Sequence, residues 1–83
     1  MFGNFFYLYI MQRTYRVLLT PEAEGGFSVS VPALPGCFTQ GETIEEAMEM
    51  AREAISLYVE SLELDGQSVP DDNKTLEYSL TLA

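Results

Sequence analysis

The sequence predicts an α+β fold in the order β-β-β-α-β, an antiparallel meander with one long helix packed across one face. Three observations predict it: apolar residues at helical spacing in one long stretch, apolar and polar residues alternating in two shorter ones, and turn residues between the stretches. A sheet and a helix each bury one apolar face against the other, and the last strand is able to return beside the first. With 83 residues the chain forms one small core, which oligomerisation would help to stabilise.

The helix is predicted from Thr43 to Leu64. Thr43 is a good N-cap, and Glu46, three residues later, is able to reach back in a capping box. Gly66 supplies the left-handed conformation that ends many helices. The apolar residues recur at steps of three and four, and these are Ile44, Ala47, Met48, Ala51, Ala54, Ile55, Tyr58, Val59 and Leu62. They form one stripe that faces the sheet.

A second apolar stripe runs along the shoulder of this helix, through Met50, Leu57 and Leu64, which are seven residues apart. It is either a widening of the core face or a contact with another chain. We treat the three residues as candidate subunit contacts.

Four strands are predicted. Residues 15–20 are rich in β-favouring side chains, and residues 27–31 alternate between apolar and serine. The turn signal at Pro35 and Gly36 precedes a short third strand over 37–40. Residues 76–82 alternate between apolar and polar residues most regularly, which predicts a last strand after the helix.

The first eleven residues form an aromatic extension, and residues 12–83 form the single domain. The extension lacks the basic start and the cleavage site of a signal peptide. We expect an extra strand or arm that packs against its own sheet or a neighbouring subunit. Its candidate subunit contacts are Phe5, Phe6, Tyr7 and Tyr9.

The charge of the chain restricts its partners. Four basic against thirteen acidic residues give a net charge of −9. This charge opposes a phosphate backbone, so we expect no direct binding to nucleic acid, and it favours a basic protein partner. No run approaches the roughly 20 apolar residues of a membrane helix. The single cysteine, Cys37, suits a reducing cytoplasm.

The residue types for catalysis are scarce. Without histidine, neither a Ser-His-Asp nor a Cys-His arrangement is possible. Lys74 lies in a polar connector, and Cys37 is expected to be a small core residue. The loop carboxylates Asp71 and Asp72 do not complete an oxygen cage by themselves. We therefore predict no metal, no cofactor and no enzyme, with a carboxylate-dependent nuclease as the weaker alternative.

Four segments carry a family resemblance. They are residues 15–19, residues 26–32 (Gly-Phe-Ser-Val-Ser-Val-Pro), residues 34–43 (Leu-Pro-Gly-Cys-Phe-Thr-Gln-Gly-Glu-Thr) and residues 45–47. Together they resemble the HicB family of antitoxin domains, from Tyr15 to about Pro70. The most specific block runs without interruption from Val-Pro through Leu-Pro-Gly-Cys to the alanine-rich helix.

The resemblance implies a partial ribonuclease H-like fold without the active-site carboxylates, of the N-terminal type only. It also implies a cytoplasmic antitoxin that neutralises a small basic ribonuclease of the HicA type by masking its active site. From charge and exposure, the candidate partner-binding residues are Glu22, Glu24, Glu42, Glu45 and Glu49. A solitary oligomeric domain, with a lost partner or a small-ligand site between subunits, is the alternative.

Overall fold

A computed structural model describes residues 13–83, which contain three strands and one helix. Strand β1 spans Leu18–Pro21, β2 spans Phe27–Ser30, β3 spans Phe38–Gly41, and helix α1 spans Ile44–Leu64. The predicted α+β class with three antiparallel strands followed by one long helix is confirmed. The predicted aromatic extension and its four candidate contacts lie outside the described residues.

The three strands form an antiparallel sheet in the order β1-β2-β3. Val29 on the central strand lies opposite Leu19 on one side and Thr39 on the other, and this row faces the helix. The next row, Leu18, Ser30 and Phe38, therefore lies on the opposite face, because successive side chains of a strand alternate. No helix within residues 13–83 has the length and apolar content to cross a bilayer.

Helix α1 packs mainly over β3 and to a smaller extent over β2. The approach is close at Gly41, where an added Cβ atom would lie 2.5 Å from the backbone nitrogen of Ala47. Ala47 and Ala51 are fully buried against Val29, because their small side chains let the helix lie close to the sheet. The absence of a side chain at Gly41 therefore sets the height of the helix above the sheet.

A second cluster extends the core beyond the ends of β2 and β3. Its buried members are Val31, Leu34 and Cys37. Tyr58 of α1 covers this cluster, and its hydroxyl donates to the carbonyl oxygen of Pro35 over 2.7 Å. Burial raises the pKa of the Cys37 thiol, which favours its neutral form. The prediction that Cys37 is a small core residue is confirmed.

Both ends of α1 follow the sequence signals. The hydroxyl of Thr43 accepts the backbone N–H of Glu46 at 3.0 Å. The Glu46 carboxylate accepts the N–H of Glu42 at 2.7 Å, one residue before the N-cap. At the other end Gly66 has a φ of 70°, and its N–H donates to the carbonyl of Glu63 at 3.1 Å. The helix is thus capped at both termini.

The predicted last strand over residues 76–82 is absent from the described sheet. Leu76, Tyr78, Leu80 and Leu82 are 75% to 87% exposed, and no residue after the helix pairs with a strand. The alternating pattern of this segment is real, but its apolar face has no surface of the described chain to cover it. A single extended segment gains too little from backbone pairing to form a strand without such packing.

The segment after α1 is nevertheless attached to the residues before β1. Asp72 is buried, and its Oδ2 atom accepts the backbone N–H of Arg16 at 2.9 Å. The N–H of Asp72 donates to the carbonyl of Thr14 at 3.2 Å, and the Tyr15 hydroxyl donates to the carbonyl of Pro70. The Arg16 guanidinium also contacts Asp72 at 3.6 Å and Glu77 at 3.1 Å. We call these contacts the C-terminal latch.

Gly41→Ala is expected to destabilise the fold by about 1–3 kcal/mol, because the new methyl group overlaps the backbone of α1. Urea unfolding would show a lower midpoint at an unchanged slope. Gln40→Ala, at the exposed neighbouring position, is the control and should change the free energy of unfolding by less than about 0.5 kcal/mol. Equal stability of the two variants would contradict the close approach.

Asp72→Asn is expected to weaken the latch in a pH-dependent way. The backbone N–H of Arg16 lowers the pKa of the Asp72 carboxyl below its ordinary value of 3.8. The ionised form is thus favoured in the folded state, and its contribution is present above that value and is lost as the pH falls through the folded pKa. The difference in unfolding free energy between wild type and variant should be constant from pH 7 to about pH 4. It should shrink at lower pH, and a difference that grows on acidification would contradict the assignment.

Candidate partner-binding surface

The acidic residues of the first turn and of the helix entry meet at one end of the molecule. Glu22 closes the β1–β2 turn, since its N–H donates to the carbonyl of Gly26 and its carbonyl accepts the N–H of Gly25, both at 3.0 Å. Glu42 lies between β3 and the N-cap of α1. Glu22 and Glu42 flank a groove of about 330 Å³, whose lining is Glu22, Gly25, Gly26, Phe27, Ser28, Gln40, Gly41 and Glu42.

The register of the hairpins explains this grouping. Phe27 pairs with Pro21 at the end of β1 and with Gly41 at the end of β3, so the chain segments that follow β1 and β3 lie at the same edge of the sheet. Glu22 and Glu42 are the first residues of those two segments. Glu24 is exposed in the same turn as Glu22. Three of the five candidate carboxylates are therefore concentrated at this end.

The other two candidates face a different groove. Glu45 and Glu49 line an open groove of about 930 Å³ between α1 and the residues before β1, including Tyr15 and Val17. The Glu49 carboxylate lies 3.4 Å from the guanidinium nitrogen of Arg52. Both side chains are exposed, and such a pair contributes little to stability. Its effect is to reduce the negative charge on this flank of the helix.

The described residues provide no cluster for metal chemistry. Within residues 13–83, no three His, Cys, Asp or Glu side chains come together in a way that could hold a metal ion. The adjacent carboxylates Asp71 and Asp72 serve different backbone groups: Asp71 accepts the N–H of Asn73 at 3.0 Å, whereas Asp72 belongs to the latch. The five candidate glutamates are all exposed.

The shoulder stripe of α1 is exposed. Met50, Leu57 and Leu64 have exposed fractions of 36%, 62% and 81%. The stripe is not a widened core face within the described chain, and a contact with another chain stays a prediction.

Sequence reasoning did not single out Phe38, which is exposed on the outer face of β3. Side chains alternate along a strand, so a core position for Cys37 implies that the next residue, Phe38, faces outward.

The sequence is similar to a protein family and to several individual proteins. The sequence of residues 15–81 matches the family described as HicB-like antitoxin of bacterial toxin-antitoxin system. The UPF0150 protein Ta0767 of Thermoplasma acidophilum is 49% identical over 59 residues, which are 71% of this chain and 86% of that protein. A second UPF0150 protein, ssr1765 of Synechocystis, is 48% identical over 59 residues, 71% of this chain and 75% of its own length.

Antitoxin HicB 1 of Photorhabdus laumondii is 41% identical over 69 residues, which are 82% of this chain but 44% of the antitoxin. The similarity to this named antitoxin thus spans less than half of its length.

Proposed function

The chain belongs to the HicB-like antitoxin family, and from this premise we propose that it is a non-enzymatic antitoxin. Its partner is a small basic ribonuclease of the HicA type, which it neutralises by covering the active site of the toxin. The observation that carries the proposal is the family match over residues 15–81, which includes the acidic turn and the helix entry.

Electrostatics supports a basic partner. A chain with a net charge of −9 creates a negative potential that speeds the encounter with a cationic protein and opposes wrong, acidic partners. The carboxylates of Glu22 and Glu42, on either side of one groove, would accept hydrogen bonds from lysine or arginine side chains. A toxin that binds RNA needs such side chains for its phosphate contacts. The antitoxin would therefore occupy the surface that the substrate needs.

Inhibition by coverage requires no chemistry from this chain. Without histidine, and without a metal-holding cluster in residues 13–83, the carboxylates support binding instead. The proposal also places the chain in the cytoplasm, where messenger RNA is available to such a toxin, and in a homo-oligomer. Support for self-association comes from the exposed apolar residues of the segment after α1.

Co-expression with the adjacent reading frame tests the proposal. If that frame encodes a small basic protein, its expression alone should arrest growth, and co-expression with this chain should restore growth. The two proteins should co-purify as a complex. If the product is neither toxic nor bound, the antitoxin proposal is wrong.

Charge reversal tests the acidic groove in the same complex. Glu22→Lys combined with Glu42→Lys should weaken binding by about 10- to 100-fold, mostly through a slower association rate, with a larger effect at low salt. Asp65→Lys is a suitable control for the single groove variant Glu42→Lys, because it makes the same change of +2 in net charge at the far end of α1. Equal losses for the groove variant and the control would indicate that only net charge matters, and would contradict this site.

A further inference from the structure

We propose that the basic partner docks by adding an extended, positively charged strand to the free edge of β3, under the flank of α1 that carries Met50 and Leu57. This inference rests on the proposed function and specifies how its partner is held. It uses the edge of β3 beside the acidic groove, with Gln40 common to both, and four observations support it.

First, β3 offers unpaired backbone groups. It is the last strand in the order β1-β2-β3, so one of its edges has no neighbour among the described residues. The N–H of Val31 donates to the carbonyl of Cys37 at 3.2 Å. This bond shows which residues of β3 form hydrogen bonds with β2. Because paired and unpaired positions alternate in an antiparallel ladder, the N–H and C=O groups of Phe38 and Gln40 point away from β2. These groups are available to a further strand.

Second, the apolar shoulder of α1 lies on the side of the β3 edge. Met48 and Val59 line the groove toward Tyr15, on the β1 side of the helix. At 100° per residue, Met50 and Leu57 fall on the opposite flank. Since α1 packs mainly over β3, this flank extends past the last strand. A strand added to β3 would place alternate side chains under the exposed Met50 and Leu57.

Third, an unpaired acidic residue borders the stripe. Glu53 is exposed on the solvent side of Met50 and Leu57. Within residues 13–83, its carboxylate forms no hydrogen bond or ion pair, unlike that of Glu49, which lines the groove on the β1 side. An incoming strand with lysine or arginine at an outer position would pair with Glu53.

Fourth, charge distinguishes a basic partner from a second copy of the chain. Pairing of β3 with β3 of a second copy about a two-fold axis would bring the same stripe, and the same Glu53, toward each other. The two Glu53 carboxylates would then repel, in a dimer that already carries twice the net charge of −9. A cationic strand turns this repulsion into attraction. The combination of backbone pairing, an apolar cover and an acidic border therefore fits a basic edge strand.

Amide hydrogen exchange tests the backbone part of the inference. The probe is the basic protein of the adjacent reading frame, purified in complex with the wild-type chain. The amides of Phe38 and Gln40 should exchange at least tenfold more slowly in the complex than in the free chain. The amide of Leu19 is the matched control. The N–H of Glu22 donates to the carbonyl of Gly26, and paired and unpaired positions alternate along β1, so the amide of Leu19 points away from β2. Its rate should stay unchanged.

Two variants test the side-chain part. Leu57→Gln removes the exposed apolar group without a loss of helix propensity and should weaken binding at least tenfold. Glu53→Lys should weaken binding in the same direction, because it reverses the charge that borders the stripe. Met48→Gln, a partly exposed position on the opposite flank, is the control and should bind like wild type. Circular dichroism of all three should match wild type.

The outcomes separate the two proposals. If the wild-type chain does not bind the probe, the proposed function fails, and this inference fails with it. If wild type binds but Leu57→Gln binds equally well and the amides of Phe38 and Gln40 are not slowed, only this inference is overturned. If these amides are already protected in the free chain, and light scattering gives a dimer mass, a second copy occupies the edge and the inference is also overturned.

Discussion

The contact between Gly41 and the first turns of α1 determines most of the structure. With no side chain at Gly41, the helix backbone approaches the end of β3 to a distance that a methyl group would prevent. Ala47 and Ala51 continue this close packing along the helix. The helix consequently lies toward one side of the sheet, over β3 and β2. This position leaves an open groove on the β1 side and an apolar flank on the β3 side.

The acidic residues divide into two groups with different roles. Glu46 caps the helix, and Asp72 holds the latch, so these carboxylates stabilise backbone groups that would otherwise lack partners. Glu22, Glu42 and Glu53 instead remain exposed, and in the described chain their carboxylates are available to other molecules. A high acidic content therefore does not by itself mark a binding surface. In the proposed complex, the partner would bind the carboxylates that folding leaves without a partner.

The elements with local signals could be predicted from the sequence. The N-cap Thr43 and the C-terminal Gly66 fixed the bounds of α1, because helix ends depend on residues close in the chain. The segment 76–82 could not be predicted correctly, because alternation shows which residues share a face but not whether a partner surface exists. The site was predictable only in part. The sequence shows that Glu22 and Glu42 are charged. It does not show that they lie close together, because that depends on the register of two hairpins.

The C-terminal latch also affects the order in which the chain folds. Its contacts join residues separated by about 55 positions, for example Arg16 with Asp72, whereas the hairpins and the contact between β3 and α1 close short loops. The entropy lost on closing a loop rises with its length, so long-range contacts tend to form late. The meander and the helix are thus able to assemble as a nucleus, and the latch to close last. Residues 14–16 would then be the part of the sheet region that opens first when the native chain fluctuates.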